Sequence, residues 1–557
     1  MIDNEFIASV IAHSLGIPHL VARILVERGF KTIPSVHALL SGNALAELDP
    51  FTMLGMHEAV EWALAVKERG EGIFIFGDYD LDGLSSVALL KRGFNALGYS
   101  VEWRLPSRFS SGYGLSVNAI DEMIAAGAKN IVTVDTGITA NEEIAYAKSK
   151  GLHVMVIDHH QPSGEGLPPC DVLLDPHQEL DTYRNVDLCG VGVAYKFMCA
   201  LHKRFGKPHP EHFLELVALG TLADLVPMTS ENRYFTRKGL ERIWDSPFPG
   251  VRELCRSQLL HPQLVGAQGI MFKVAPLLNA PGRIERPDPA LDVLLCDTPA
   301  AAKELVDALG SWNQRRKNTE NEISEMAIAR VYELYGKENL PQVLLVDGEG
   351  WHVGVIGIVA AKLTQEFNRP AAVISVQEDG IACASARAVP GFNWHKALFE
   401  CRDLFTRWGG HSNAAGFSLV KENIPVLRER VEKFAANFVE VDAEKQAPAS
   451  VIEVAFAELD ENLMQWLARL EPLIGNFPVP LFRARNVKVK YLHELRGGHL
   501  HLEFGQGIGF KFPAIAFGMG KRKAALEKRD DITIDFELAW NFYNGRRALQ
   551  LQIKDFQ

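Results

Sequence analysis

The feature that most constrains this chain is a short apolar run that stops on acids. Ile73-Phe74-Ile75-Phe76 has the length of a buried strand. Gly77 ends it, and Asp78, Asp80 and Asp82 follow at alternate positions before Gly83 and a helix-like segment, Leu84–Leu97. A strand that ends in carboxylates and turns into a helix fits an open α/β sheet, whose chemistry lies beyond the carboxyl ends of the strands. Three acids so close repel one another and resist joint burial, so a divalent cation is the economical partner. Such a motif alone fits a solvated acidic turn equally well, and the rest of the chain decides.

Downstream, strands and helices alternate. VEWRL (101–105) reads as a strand and Ser116–Ala126 as a helix capped by Ser116. NIVTVD (130–135) is a strand ending in Asp135, Ala140–Lys150 a helix, and HVMVID (153–158) a strand ending in Asp158, with His159 and His160 directly after. DVLLD (171–175) is a further strand. The alternation predicts a mostly parallel, doubly wound sheet with its carboxyl ends along one edge. The three acids after the first strand, Asp135 and Asp158-His159-His160 then gather at one crevice, a convergence chance does not readily supply. HFLELVALGTLADLVPM closes an apolar helix on Asp224. A carboxylate there is unfavourable beside the negative helix end unless a cation is near.

Residues 1–70 read as an N-terminal helical cap. From about Ala300 to Tyr335 one long, partly polar helix runs without Gly or Pro after Gly310, which suits a bridge between domains. A second α/β unit follows over 341–430 and includes GGHSNAAGFSL (409–419). Residues 450–557 carry about five short alternating strands, the pattern of a small barrel of OB type. Phe482, Phe504, Phe512, Phe517, Trp540, Phe542 and Tyr543 are interleaved there with Lys and Arg, which suits a stacking groove for unpaired bases, although for any single one of them a place in the core is the better reading.

At 557 residues the chain has room for roughly three or four domains. No apolar run reaches the ~18 residues of a membrane span, and the N-terminus lacks a secretory pattern. Seven cysteines without a CxxC read as reduced thiols of a cytoplasmic protein. The net charge of −11 hides an asymmetry: from Leu481 onward 14 Lys/Arg face 8 Asp/Glu, so a basic tail on an acidic body can hold a polyanion.

Carboxylates plus imidazole without thiolates select Mg²⁺ or Mn²⁺, with Co²⁺ and Zn²⁺ as borderline choices. The ligands outnumber what one ion needs. Two ions sharing a carboxylate would use them all, and Asp135, alone on the middle strand, is the best bridge for displacement at phosphorus. Phosphate oxygens need positive or donor partners, for which glycine-rich loops offer Arg108, Tyr113, Arg283, Arg387 and His411.

GDYDLDG (77–83), VTVDTG (132–137), VIDHHQP (157–162) and GTLADLVP (220–227) resemble the four motifs of the DHH phosphoesterase superfamily, and GGHSNAAG (409–416) the glycine-rich motif of its companion domain. The N-terminal helices, LNAPGR, the long helix and the terminal barrel resemble the RecJ family of single-strand-specific 5′→3′ DNA exonucleases. The loop before Arg387 departs from the family in lacking glycines, and LEPLIGNFPVP (470–480) departs from its usual linker.

The resemblance implies a helical cap over 1–70, a DHH phosphoesterase domain over 71–300, a connecting helix over 301–340, a DHH-associated α/β domain over 341–445 and an OB-like nucleic-acid-binding domain over 446–557. It implies two divalent ions, Mn²⁺ or Mg²⁺, held by Asp78, Asp80, Asp82, Asp135, His159 and Asp224. Asp135, His159 and His160 are the implied catalytic residues. His160, Arg108, Tyr113, Arg283, Arg387 and His411 are the implied substrate contacts, and Asp158 orients its histidines. The implied activity is exonucleolytic hydrolysis of single-stranded DNA by a cytoplasmic monomer in recombination and repair, with a helicase or single-strand-binding protein as the partner class. The alternatives are a phosphodiesterase for short oligonucleotides or cyclic dinucleotides, and a catalytically dead strand-binding scaffold; the latter conflicts with the complete ligand set.

Overall fold

Five parallel strands form the first sheet: β1 (Ile73–Gly77), β2 (Val101–Arg104), β3 (Asn130–Val134), β4 (His153–Ile157) and β5 (Val172–Leu174), in the order β2-β1-β3-β4-β5. The computed structural model describes residues 3–41, 47–106, 114–162, 166–258, 266–436, 451–527, 531–543 and 546–557. Alternate residues of each strand enter two different cores. Ile73, Ile75, Val132, Val134, Met155 and Ile157 pack with the helices Leu81–Ala96, Gly190–Arg204 and Leu214–Asp224. Phe74, Phe76, Ile131, Val154 and Val156 pack with the helices Val117–Ala125 and Asn141–Ser149. Burial on both faces explains why these strands are apolar throughout.

The register aligns the acids. Gly77 pairs with Val134, Val134 with Ile157, and Ile157 with Leu174. Asp78, Asp135, Asp158 and Asp175 therefore each follow the last paired residue of four adjacent strands. The order reverses between β1 and β3, the switch point where such sheets open a crevice.

A helix of 37 residues, Pro299–Tyr335, spans about 55 Å at 1.5 Å per residue. Thr298 caps it, its hydroxyl accepting from the Ala301 N–H at 3.2 Å. Val306 and Leu309 join the core of the first lobe, and Ile323, Ala327 and Val331 join that of the second. That second lobe carries β6 (Leu344–Glu349), β7 (Ala371–Val376), β8 (Ile381–Arg387), β9 (Phe405–Gly410) and β10 (Ala414–Val420). They lie in the order β6-β7-β8-β10-β9, with β6 and β7 parallel and the other pairs antiparallel.

The C-terminal strands are β11 (Ile452–Glu453), β12 (Phe482–Leu495), β13 (His499–Gln506), β14 (Phe510–Ala516), β15 (Ile532–Tyr543) and β16 (Arg546–Phe556). Pairing of β12 with β15 closes β12-β13-β14-β16-β15 into a five-stranded barrel, with β14 and β16 parallel. This is the OB arrangement. The helical first seventy residues divide their packing. Ala8, Ile11, Val21, Ile24 and Leu25 share the barrel's core, whereas Met56, Ala59, Val60 and Ala63 belong to the first lobe. The departing linker forms part of the junction: the Phe477 ring lies between the guanidiniums of Arg28 and Arg233, each 4.4 Å from its centroid.

Candidate metal centre

Asp80 caps the helix Leu81–Ala96, its Oδ1 accepting from the N–H groups of Asp82 (3.0 Å) and Gly83 (3.2 Å). The short polar side chain thus starts the helix directly after β1 and leaves Asp78 and Asp82 on either side. Asp82 is buried at the N-terminus of the helix Gly190–Arg204, accepting from the N–H groups of Gly190 (2.7 Å) and Val191 (3.0 Å). Two donors at a positive helix end stabilise an acid that would otherwise resist burial. A β-carbon at Gly190 would stand 2.7 Å from the Asp135 carboxylate, so only glycine fits.

Asp135 has a left-handed backbone (φ 59°), which Asp adopts more readily than most residues, and this turns its carboxyl across the strand ends. Asp158 is spent on orientation. Its Oδ1 accepts from the His159 N–H (2.7 Å), the His160 N–H (3.2 Å) and His160 Nδ1 (2.7 Å), and its Oδ2 from the Ile138 N–H (2.9 Å). Burial opposes its ionisation, but the His160 hydrogen bond and the surrounding positive charge prevail and hold its carboxyl below the ordinary range. Asp224 ends its helix, and Leu225 follows in the left-handed region.

At the strand ends two groups of ligand atoms, Asp78 with Asp80 and Asp135, and Asp82 with His159 and Asp224, are joined by a third, Asp135 with Asp158, His159 and His160; within each group the atoms lie within 4.8 Å of one another. Asp135 Oδ1 lies 3.1 Å from His159 Nε2, where the two groups meet. Burial and then the His160 charge push the His159 imidazole down to about 3, and burial and the neighbouring acids push Asp135 well up. Burial thus opposes the charged form of both partners, which weakens any ion pair between them. Burial and then Asp80 raise Asp82 to about 7; burial, then Asp82 and Asp80, raise Asp224 to about 8. Crowded acids beside a neutral imidazole are what a hard divalent cation relieves. Cys189 abuts Asp82, and burial and then the acids raise its thiol; the ligand groups at the strand ends consist of carboxylates and imidazole, oxygen and nitrogen donors. His160 differs: burial disfavours its charge, but its bond to Asp158 and the facing acids raise it to about 9. It is cationic at neutral pH and partly exposed.

Of the expected phosphate contacts, Arg283 lies near these groups. It lines a cavity of about 240 Å³ with Leu222, Ala223, Leu225, Asn279 and Ile358, so the wall includes both chain neighbours of Asp224 and a residue of the second lobe. Gly354 fits only as glycine, since its β-carbon would meet the Arg283 carbonyl at 1.7 Å. Arg387 lies on the second lobe with Nη2 3.1 Å from where a β-carbon on Gly357 would stand, one residue from the cavity-lining Ile358. His411 is exposed in the β9–β10 turn, its N–H donating to the Ala414 carbonyl at 2.8 Å. Arg108 and Tyr113 lie outside the described residues.

Sequence reasoning missed the Gly190 and Val191 donors, which sit more than a hundred residues from Asp82, and the Asp175–His177 pair at the end of β5. DPH after an apolar strand repeats the pattern of DHH after β4 and was the available signal. On the barrel, Phe482 and Phe504 are core, Phe512 and Trp540 are half-buried, and Phe517 and Phe542 are exposed together with Tyr491 and Phe510; the Tyr543 side chain lies outside the described residues.

Three family models match this chain: the DHH family N-terminal domain over residues 72–221, the DHHA1 domain over 340–437 and the RecJ OB domain over 452–555. The chain is 34% identical over 559 residues to the single-stranded-DNA-specific exonuclease RecJ of Bacillus subtilis, covering 99% of this chain and 70% of that protein. It is 31% identical to the protein of the same name from Salmonella typhimurium, covering 97% and 96%. The crystal structure of RecJ in complex with Mn²⁺ from Thermus thermophilus superposes with a TM-score of 0.82 at 28% identity, covering 99% of this chain and 77% of that one. The Mg²⁺ complex from the same organism gives 0.74 at 26%, covering 99% and 76%.

Proposed function

The chain belongs to the RecJ family, and from that premise we propose that it removes nucleotides from the 5′ end of single-stranded DNA by a two-metal mechanism. It is an enzyme, a single-stranded-DNA-specific exonuclease with a divalent-metal cofactor. The observation that carries the two-ion reading is the position of Asp135. It belongs with Asp78 and Asp80 and also touches His159 of the Asp82–Asp224 group. Asp78, Asp80 and Asp135 are assigned to one ion, and Asp82, His159, Asp224 and the shared Asp135 to the other.

Divalent ions there supply the Lewis acidity that displacement at phosphorus needs. The chain's residues do the rest. Asp82 is fixed by two backbone donors and keeps its carboxyl aimed at the second position. Neutral His159 offers a lone pair. Cationic His160 is assigned to the scissile phosphate, whose negative charge it offsets. Arg283, Arg387 and His411, with Arg108 and Tyr113, are assigned to flanking phosphates between the lobes, and the exposed barrel aromatics to unpaired bases.

The working partition is a helical cap (1–70), a phosphoesterase lobe (71–300), a connecting helix (301–340), a second lobe (341–445) and the barrel (446–557). The cap divides its packing between the barrel and the first lobe. A monomer in the cytoplasm, acting in recombination and repair on strands exposed by a helicase or coated by a single-strand-binding protein, completes the reading.

The test is digestion of long single strands labelled at either end, with Mn²⁺, against duplex of the same sequence. Stepwise loss from the 5′ end of single strands alone is expected. Equal digestion of duplex, or activity confined to short oligonucleotides and cyclic dinucleotides, contradicts the reading.

A further inference from the structure

On the far side of the helix Gly190–Arg204 a second polar cluster lies apart from the strand-end acids. Lys196 is fully buried and donates to Glu231 (2.9 Å), Glu47 (3.0 Å) and the Leu48 carbonyl. Glu231 is equally buried and also accepts from the Tyr183 hydroxyl at 2.6 Å. Lys196 and Glu231 thus cancel in charge, which leaves Glu47 with charge to spare. Its Oε2 stands 3.0 Å from His209 Nε2, and the Cys199 sulfur completes a group whose ligand atoms lie within 4.8 Å of one another. All three residues line one cavity of about 460 Å³, with Lys203 and Lys207 also in its wall.

We propose that Glu47, Cys199 and His209 form a second, thiolate-containing site for a borderline divalent metal of the zinc class. Three arguments support it. First, a carboxylate, a thiol and an imidazole together are the donor set that zinc or cobalt prefers and that Mg²⁺ does not. Second, bonds of ~2.0–2.3 Å in a tetrahedron put ligand atoms about 3.4–3.6 Å apart, which the group reaches with small side-chain shifts, and the cavity leaves the fourth position to water. Third, the Tyr195 hydroxyl lies 3.5 Å from His209 Nδ1, the outer partner that a metal-bound imidazole needs.

Charge balances as well. Binding expels the thiol proton, which burial and then Glu47 otherwise hold on Cys199, so a dication meets one thiolate, one carboxylate and a neutral imidazole. The site would tie the segment entering the first lobe at Glu47 to the helix Gly190–Arg204 and to His209. It does not depend on the exonuclease reading.

Cobalt reports thiolate ligation through a near-ultraviolet charge-transfer band, which the strand-end acids cannot produce. The full chain, with excess Mg²⁺ present, is titrated with Co²⁺. A band that saturates at one Co²⁺ per chain is expected. It is lost in Cys199→Ser, weakened more than ~tenfold in affinity in His209→Gln, and unchanged in Cys189→Ser. His209 is exposed, so its variant keeps the test open should Cys199→Ser fail to fold. Absence of the band in the native chain, its survival at full strength in Cys199→Ser or His209→Gln, or its loss in Cys189→Ser overturns the proposal.

Discussion

His159 Nε2 stands 3.1 Å from Asp135 Oδ1, where two groups of acids meet. The contact exists because β3 and β4 end level and Asp135 turns back through a left-handed backbone. One carboxylate thereby stands at the junction of the two groups.

Replacing Asp135 with Asn should lower exonuclease activity on the order of a thousandfold or more while leaving strand binding nearly intact. The metal-free protein should melt no lower than the native, because burial and the neighbouring acids oppose the charged Asp135 carboxylate and an amide of the same shape carries no charge there. Steady-state kinetics, a DNA-binding titration and a melting curve read the three effects.

The raised acids fix the sign of the pH dependence. Asp82 and Asp224 titrate near 7 and 8 in the folded, metal-free chain, against about 4 unfolded. They contribute stability that is fully present below about pH 4 and is lost as pH rises through 7 and 8. Cations compete with those protons, so Mn²⁺ should raise the melting temperature more at pH 8 than at pH 6. Mn²⁺ at a hundredfold excess over its Kd should add about 2.7 kcal/mol. Calorimetry at both pH values, with and without Mn²⁺, measures it.

Gly190→Ala should cost about a hundredfold in kcat with little change in KM. The new methyl displaces Asp135 by a fraction of an ångström, and misplacement on that scale is costly in chemistry rather than binding. Single-turnover kinetics separate the two.

Removing one partner of the fully buried Lys196–Glu231 pair should be expensive. Glu231→Gln leaves the Lys196 ammonium with Glu47 as its remaining carboxylate and should destabilise the first lobe by less than the about 3–5 kcal/mol of a fully broken buried pair, a loss that Glu231→Gln with Glu47→Gln should reach, read by denaturant unfolding.

Much of this centre was legible because each acid directly follows an apolar run, and strand ends are local features. Asp78, Asp135 and Asp158 could be placed on one edge from alternation alone. The rest depended on distant pairings. The Gly190 and Val191 donors reach Asp82 from a helix more than a hundred residues away, and nothing in LCGVGV announces that. Alternation could not say which face of a barrel strand turns inward, so core Phe482 and exposed Phe517 looked alike. Nor could helical periodicity tell that Val21 and Leu25 pack on a barrel more than four hundred residues later. That packing makes truncation of the barrel a poor test of strand binding. Phe517→Ala with Tyr491→Ala is better, at ~1–3 kcal/mol for each stacked base.

The central claim is that Asp135 joins two ions in one centre, and electron paramagnetic resonance of the Mn²⁺-loaded chain tests it most directly. The account predicts two Mn²⁺ per chain with spin-coupled spectra in the native protein, and loss of the coupling in Asp135→Asn. A single uncoupled Mn²⁺ in the native protein, or coupling that survives in Asp135→Asn, would contradict it.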